Sequence, residues 1–253
     1  MNLLPVIIVA IYGLFLGSFL NVLADRLPRE DDVISGRSRC EKCRKSLRWW
    51  ELIPIFSYFF LRGRCARCHT PLSLKYPLTE LLSAAMFTWL WMVSQGDLVT
   101  FALSSIAAAC LFVIFFADLS YEIIPDSMVF IGSLASLALQ LYRSGLSSLV
   151  PYPAAGFGAL TFFYFLYLVT RGRGMGFGDV KLVFFLGLLT GFPGIVIALY
   201  AAFLTGAAVG VILVLIGKKR LKSHVPFGPF LVGGTVFALI YGHQVISWWK
   251  GVV

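Results

Sequence analysis

Charged side chains are scarce in this sequence, and acidic ones scarcer still. Only 13% of its 253 residues are charged, with twelve Asp and Glu against twenty-one Lys and Arg. A soluble domain carries about a quarter, so half of the usual charged surface is missing. The hydrophobic share is 59% and the mean hydropathy +0.87, and lipid is the solvent that suits such a chain. Histidine is nearly absent: His69, His224 and His243 are scattered, and neither Gly-x-Ser-x-Gly nor His-Glu-x-x-His occurs. That leaves the nucleophilic-serine and zinc-protease designs without their parts. Leu3 to Leu23 lacks a basic n-region and an Ala-x-Ala-like site, and Asp25-Arg26 follows it, so it reads as a retained membrane helix.

What is present is a series of apolar runs. A spanning helix needs about 20 mainly apolar residues, and eight stretches are candidates: roughly 3–24, 77–94, 98–117, 124–142, 150–170, 178–191, 193–216 and 228–248. The sixth is short, and the tight turn Gly191, Pro193, Gly194 sets it off from the seventh. The expected fold class is an all-α polytopic membrane protein with about eight transmembrane helices and a small zinc-knuckle cytoplasmic domain. No internal repeat is obvious. Twelve Lys and Arg lie between Asp25 and Tyr76. Arg171, Arg173 and Lys181 fall in 171–181, and Lys218, Lys219, Arg220 and Lys222 in 217–226. With eight helices these segments and the loop 118–126 share one side, and only Arg143 and Lys250 lie opposite. The positive-inside rule then makes that side cytoplasmic and places both termini outside it. The expected location is a bacterial inner membrane.

Residues 25–76 form the one polar stretch large enough to fold in water, at about fifty residues too few for a core without a staple. It holds Cys40-x2-Cys43, a spacer of twenty-one residues, and Cys65-x2-Cys68. Each knuckle lets two thiolates bind one tetrahedral metal, and two knuckles complete a structural four-cysteine zinc site. Arg39, Lys42, Arg44, Arg64 and Arg67 surround the thiols and favour thiolates. Free thiols, redox disulfides and His69 as a substitute ligand are the competing readings. Cys110, alone in an apolar run, reads as packing. The basic charge and Trp49-Trp50 also suit nucleic acid, but basic loops facing a membrane look the same. The expected division is 1–24 as a first transmembrane helix, 25–76 as the cysteine domain and 77–253 as a transmembrane domain.

Outside 25–76 only six acids remain, Glu80, Asp97, Asp118, Glu122, Asp126 and Asp179, and carboxylates near hydrocarbon need a reason. Asp97 reads as solvated in an external turn, Glu80 as a first-turn acid suiting the helix dipole, and Asp126 as a helix cap after Ile124-Pro125. Asp118 ends an apolar run, where its own helix C-terminus disfavours an anion. Asp179 closes Gly174-Met-Gly176-Phe-Gly178-Asp179, whose glycines let the backbone bend and approach other chains closely; capping offers it a competing structural account. Two close carboxylates cannot both ionise, so one stays protonated while the other acts as base toward water. That is the chemistry of an aspartyl peptidase, although composition alone does not bring Asp118 and Asp179 together in space. A proton- or cation-coupled transporter would place its acids near the midplane, and a zinc-stapled scaffold would need neither acid.

The order of motifs resembles the type IV prepilin peptidases across nearly the whole chain. Gly17-Ser-Phe-Leu-Asn-Val22 with Arg26-Leu-Pro28 is similar to the family's first helix and its exit. The cysteine knuckles and Tyr76-Pro-Leu-x-Glu80 match the next segments, Asp118-Leu with Ile124-Pro-Asp126 resembles the first catalytic motif, and Gly176-Phe-Gly178-Asp179-Val-Lys181 matches Gly-x-Gly-Asp. The resemblance implies Asp118 and Asp179 as catalytic acids, with Asp126, Gly176, Gly178 and Lys181 supporting them. It implies cleavage of the short basic leader of a prepilin or pseudopilin after a glycine at the cytoplasmic face. In many relatives S-adenosylmethionine-dependent N-methylation follows, although no Gly-rich methyl-donor loop is recognisable. The expected partners are that precursor and the lipid bilayer, without nucleic acid. Since a basic leader meets a basic face, Asp118, Glu122, Asp126 and Asp179 are the expected local attraction.

Overall fold

The computed structural model describes residues 3–32, 38–40, 42–217 and 226–252. Lys218, Lys219, Arg220, Lys222 and His224, which enter the charge argument and the histidine count above, lie outside the described residues. The helices are α1 (Leu3–Arg26), the short α2 (Phe56–Phe60), α3 (Lys75–Val93), α4 (Leu98–Tyr121), α5 (Asp126–Ser144), α6 (Pro151–Thr170), α7 (Phe177–Thr190), α8 (Gly194–Leu215) and α9 (Gly228–Val252). All but α2 coincide with the eight apolar runs. Among the described residues no strand forms; two isolated bridges pair Arg39 with Ser46 and Arg64 with Pro71.

Five helices, α1, α4, α6, α8 and α9, are long and apolar enough to cross a membrane. Among the described residues the expected count of eight is therefore not confirmed by length and composition. α3 and α5 have nineteen residues each and carry polar side chains such as Thr79, Glu80, Ser136 and Gln140. α7 has fourteen, a length of about 21 Å against roughly 30 Å of hydrocarbon.

The chain forms two compact units, residues 1–113 and 114–253. In the first, α1 packs along α3. Ser83 Oγ donates to the Gly13 carbonyl at 2.9 Å, and the Asn21 amide donates to the Thr79 hydroxyl. Glu80 sits in the second turn of α3, not the first, so the dipole account fails. Its Oε2 accepts the Ile55 N–H at 2.7 Å, which ties the polar segment to α3.

In the second unit α7 is the core. Nine of its fourteen residues are buried, from Asp179 to Leu189, as expected of a helix apolar on all sides. Protein rather than lipid surrounds it, which is why it can be short. α5 and α6 pack on α7, and α8 on α9. Small residues set the spacing: a Cβ on Gly187 would stand 2.5 Å from the Gly156 Cα, and one on Gly234 would stand 2.2 Å from the Ala198 carbonyl oxygen. Helices without a hydrophobic drive between them gain their contact by such close approach.

Candidate active site and cysteine centre

Asp118 lies in the last turn of α4 and Asp179 in the first turn of α7, with 5% and 8% of their surfaces exposed. Their carboxylates are within electrostatic reach of each other. Each also holds a backbone donor. Asp118 Oδ2 accepts the Gly228 N–H at 2.9 Å, and Asp179 Oδ2 accepts the Gly176 N–H at 3.3 Å. The Asp179 bond is the capping interaction that competes with a catalytic role, and it leaves the second oxygen uncommitted to Gly176.

Gly228 is the residue that sequence reasoning missed. α4's own dipole disfavours Asp118, but α9 begins at Gly228 and turns its N-terminus on that carboxylate, where an anion is favoured. The signal in the sequence is Pro226-Phe-Gly228-Pro-Phe230, a break leading into a helix with glycine at the point of closest approach.

The supporting residues divide. Gly176 precedes α7 and donates to Asp179, and a Cβ on Gly178 would stand 3.2 Å from the Ile124 side chain. Asp126 and Lys181 find each other instead of the acids, with Lys181 Nζ at 2.8 Å from both Asp126 oxygens. Pro125 holds the cap position of α5, so Asp126 is a first-turn acid rather than the cap. Beside Asp118 a cavity of about 330 Å³ opens, lined by Leu119, Glu122, Leu213, Pro226 and Phe230. Glu122 is exposed and left-handed, with φ of 55°, a conformation that non-glycine residues seldom take.

In the first unit the four Sγ atoms of Cys40, Cys43, Cys65 and Cys68 lie within 4.8 Å of one another. None is in a disulfide. The Cys40–Cys68 Sγ separation is 3.7 Å, close to the ~3.8 Å edge of a tetrahedron with metal–sulfur bonds of about 2.3 Å. The set therefore fits one tetrahedral metal. His69 is not part of the cluster.

Each knuckle is built the same way. The Cys40 N–H donates to the Lys45 carbonyl and the Arg44 N–H to Cys40; twenty-five positions on, Cys65 donates to Thr70 and His69 to Cys65. Arg44 and His69 are both left-handed. This is an internal repeat that sequence inspection did not reveal, because little beyond Arg-Cys-x2-Cys is shared. The Cys68 thiol is lowered to about 6, chiefly by hydrogen bonds from the Thr70 hydroxyl and N–H. Thr70, rather than the arginines, supplies the thiolate's partner.

Fold and site together define a helical membrane protein with a buried carboxylate pair and a four-cysteine centre. The family model for the bacterial peptidase A24 N-terminal domain matches residues 11–94, and that for the type IV leader peptidase family matches 105–211. The prepilin leader peptidase/N-methyltransferase of Burkholderia pseudomallei strain 1026b is 33% identical, across 92% of this chain and 84% of that protein. The protein of that name from Bacillus subtilis strain 168 is 32% identical across 96% of each, and that from Legionella pneumophila 31% across 97% and 94%. No solved structure matches. The chain belongs to the type IV leader peptidase family.

Proposed function

We propose that this chain cleaves the basic leader from type IV prepilin or type II secretion pseudopilin precursors, and then N-methylates the new terminus. The observation that carries the reading is the Asp118–Asp179 pair: two buried carboxylates from separate helices, in reach of each other, in a member of this peptidase family. One carboxylate takes a proton from water as the water oxygen attacks the scissile carbonyl. The other, protonated, donates to the carbonyl oxygen, and the resulting tetrahedral species collapses as the leaving amine takes up a proton. Gly228 and Gly176 hold the two acids in place. Asp126 and Lys181 fix the start of α5 against α7 and position the loop before Asp179.

The division is 1–24 as the first transmembrane helix, 25–76 as a cytoplasmic domain and 77–253 as the peptidase domain. All eight long helices lie in the inner membrane, α3 and α5 by packing and α7 as a shielded core. The cysteine domain and both acids are cytoplasmic, and the basic residues face lipid headgroups rather than nucleic acid. The four cysteines hold a structural zinc ion, which closes the domain on itself. S-adenosylmethionine supplies the methyl group. The described residues contain no sheet and no glycine-rich strand-to-helix turn to cradle it in the ordinary way, so methyl transfer is assigned as an activity without a residue set.

The test is cleavage of a purified prepilin in detergent by wild type, Asp118→Asn and Asp179→Asn, with folding checked by thermal melting. Wild type cuts, and both folded variants lose cleavage by several orders of magnitude, while retaining methylation of precleaved pilin. A variant cutting near the wild-type rate makes that aspartate structural.

A further inference from the structure

The segment between the cysteine knuckles carries a surface that neither the metal cluster nor the carboxylate pair uses. Trp49-Trp-Glu-Leu52 forms a single 3-10 turn and Phe56-Ser-Tyr-Phe-Phe60 forms α2. Trp49 is 78% exposed, Phe59 73% and Phe60 83%, with Leu52 and Phe56 exposed beside them. Trp50, Ile53, Phe56, Phe60 and Leu61 line a groove of about 490 Å³. A contiguous aromatic patch of this kind is costly in water and marks a partner. α2 is five residues long, so this is not the lipid-facing side of a spanning helix.

Hydrogen bonds fix its depth. The Ile55 N–H, immediately before α2, donates to Glu80 Oε2 at 2.7 Å. Glu80 is buried, and the Ser18 hydroxyl of α1 bonds to the same carboxylate. It lies five residues into α3, about 7.5 Å along the axis from Lys75. Lys75 pairs with Asp25 at 3.1 Å, and with α1 and α3 crossing the bilayer this ion pair stands at the level where α3 would enter and α1 leave the hydrocarbon. The backbone before α2 is therefore pinned to the membrane side of that ion pair.

Charge agrees with depth. Between positions 42 and 79 the one acid is Glu51, whose Oε2 accepts the Arg48 N–H at 2.5 Å. Arg44, Lys45 and Arg48 precede the aromatic stretch and Arg62, Arg64 and Arg67 follow it, all of them exposed. Aromatic rings at headgroup level between cationic flanks suit an anionic bilayer surface, where each nearby Lys or Arg contributes about 1 kcal/mol.

We propose that residues 49–61 form an interfacial wedge, seated in the headgroup layer of an anionic phospholipid bilayer and held at that depth by Glu80. The groove takes the upper part of an acyl chain, and the flanking arginines take lipid phosphates. The cysteine domain is thereby laid against the membrane, not suspended above it. This rests on α1 and α3 crossing the bilayer.

The experiment places p-benzoylphenylalanine at position 60 in the full-length protein, reconstituted in vesicles of phosphatidylcholine and phosphatidylglycerol. Photolysis is followed by mass spectrometry of the adducts. Position 15 in α1 is the lipid reference, and position 31, exposed in the acidic run Glu30-Asp31-Asp32, is the water reference. Lipid adducts form at 60 as at 15 and are lost at 31. Glu80→Leu loses the adducts at 60 and keeps those at 15, whereas Glu80→Gln, whose amide oxygen still accepts the Ile55 N–H, keeps both. Position 60 behaving like 31 while 15 labels lipid overturns the wedge and leaves the spans standing. Failure at 15 overturns the membrane placement itself. Adducts from 60 to added prepilin alone make the patch a protein-docking surface and also overturn the wedge.

Discussion

Gly228 donates its backbone N–H to Oδ2 of Asp118 across 2.9 Å, joining the first residue of α9 to the last turn of α4. A carboxylate that its own helix disfavours is thus held by the N-terminus of another. The contact is tight, because a Cβ on Gly228 would stand 2.6 Å from the same oxygen.

Gly228→Ala therefore keeps the N–H but displaces the carboxylate. A hydrogen bond to a charged group contributes about 1.5–3 kcal/mol, so its disruption is expected to lower kcat by roughly tenfold to a hundredfold, with KM nearly unchanged. Steady-state kinetics on a prepilin, with a melting curve showing an intact fold, checks this. An unaltered kcat would mean that Asp118 is not held through Gly228.

Glu122 lines the cavity beside Asp118 and makes no ion pair among the described residues. If it attracts the basic leader, Glu122→Gln raises KM by up to about fivefold, the scale of an exposed ion pair of ~1 kcal/mol or less, and leaves kcat within about twofold. A KM unchanged at low salt would remove Glu122 from leader recognition.

Gly187 faces the backbone of Gly156, with no flexible side chain between them to give way. Overpacking of that kind costs about 1–3 kcal/mol, so Gly187→Ala should lower the melting temperature in detergent. Gly158, also on α6, has nothing within 4 Å of a built Cβ. Gly158→Ala is the matched control and should melt as wild type or slightly higher.

Periodicity and hydropathy located every long helix because each is a continuous apolar run, and the charge distribution was read from loops between those runs. The number of spans is not confirmed in the same way: α7 is apolar and protein surrounds it, and hydropathy does not distinguish a shielded helix from one in lipid. Asp118 and Asp179 were legible as acids out of place. Gly228 was not, because a backbone donor has no side-chain signature and its partner lies 110 residues away. Glu80 was misread for the same reason. Its proximity to the start of a helix suggested a dipole role, while the bond to Ile55 depends on how the cysteine segment folds back.

The cysteine cluster separates metal binding from packing. Cys40, Cys43, Cys65 and Cys68 converge, whereas Cys110 is buried in α4 outside the group. Purified protein should carry one zinc per chain by elemental analysis. Cys40→Ser or Cys65→Ser should lose it, and Cys110→Ser should retain it. A structural zinc site contributes on the order of 10 kcal/mol of folding free energy at neutral pH, so chelation should expose residues 38–74 to hydrogen exchange and proteolysis. Because α6, α7, α8 and α9 pack within the other unit, exchange there should be unaffected. Protein with no zinc but full protection over 38–74 would show that the hydrogen bonds of the two knuckles suffice without a metal.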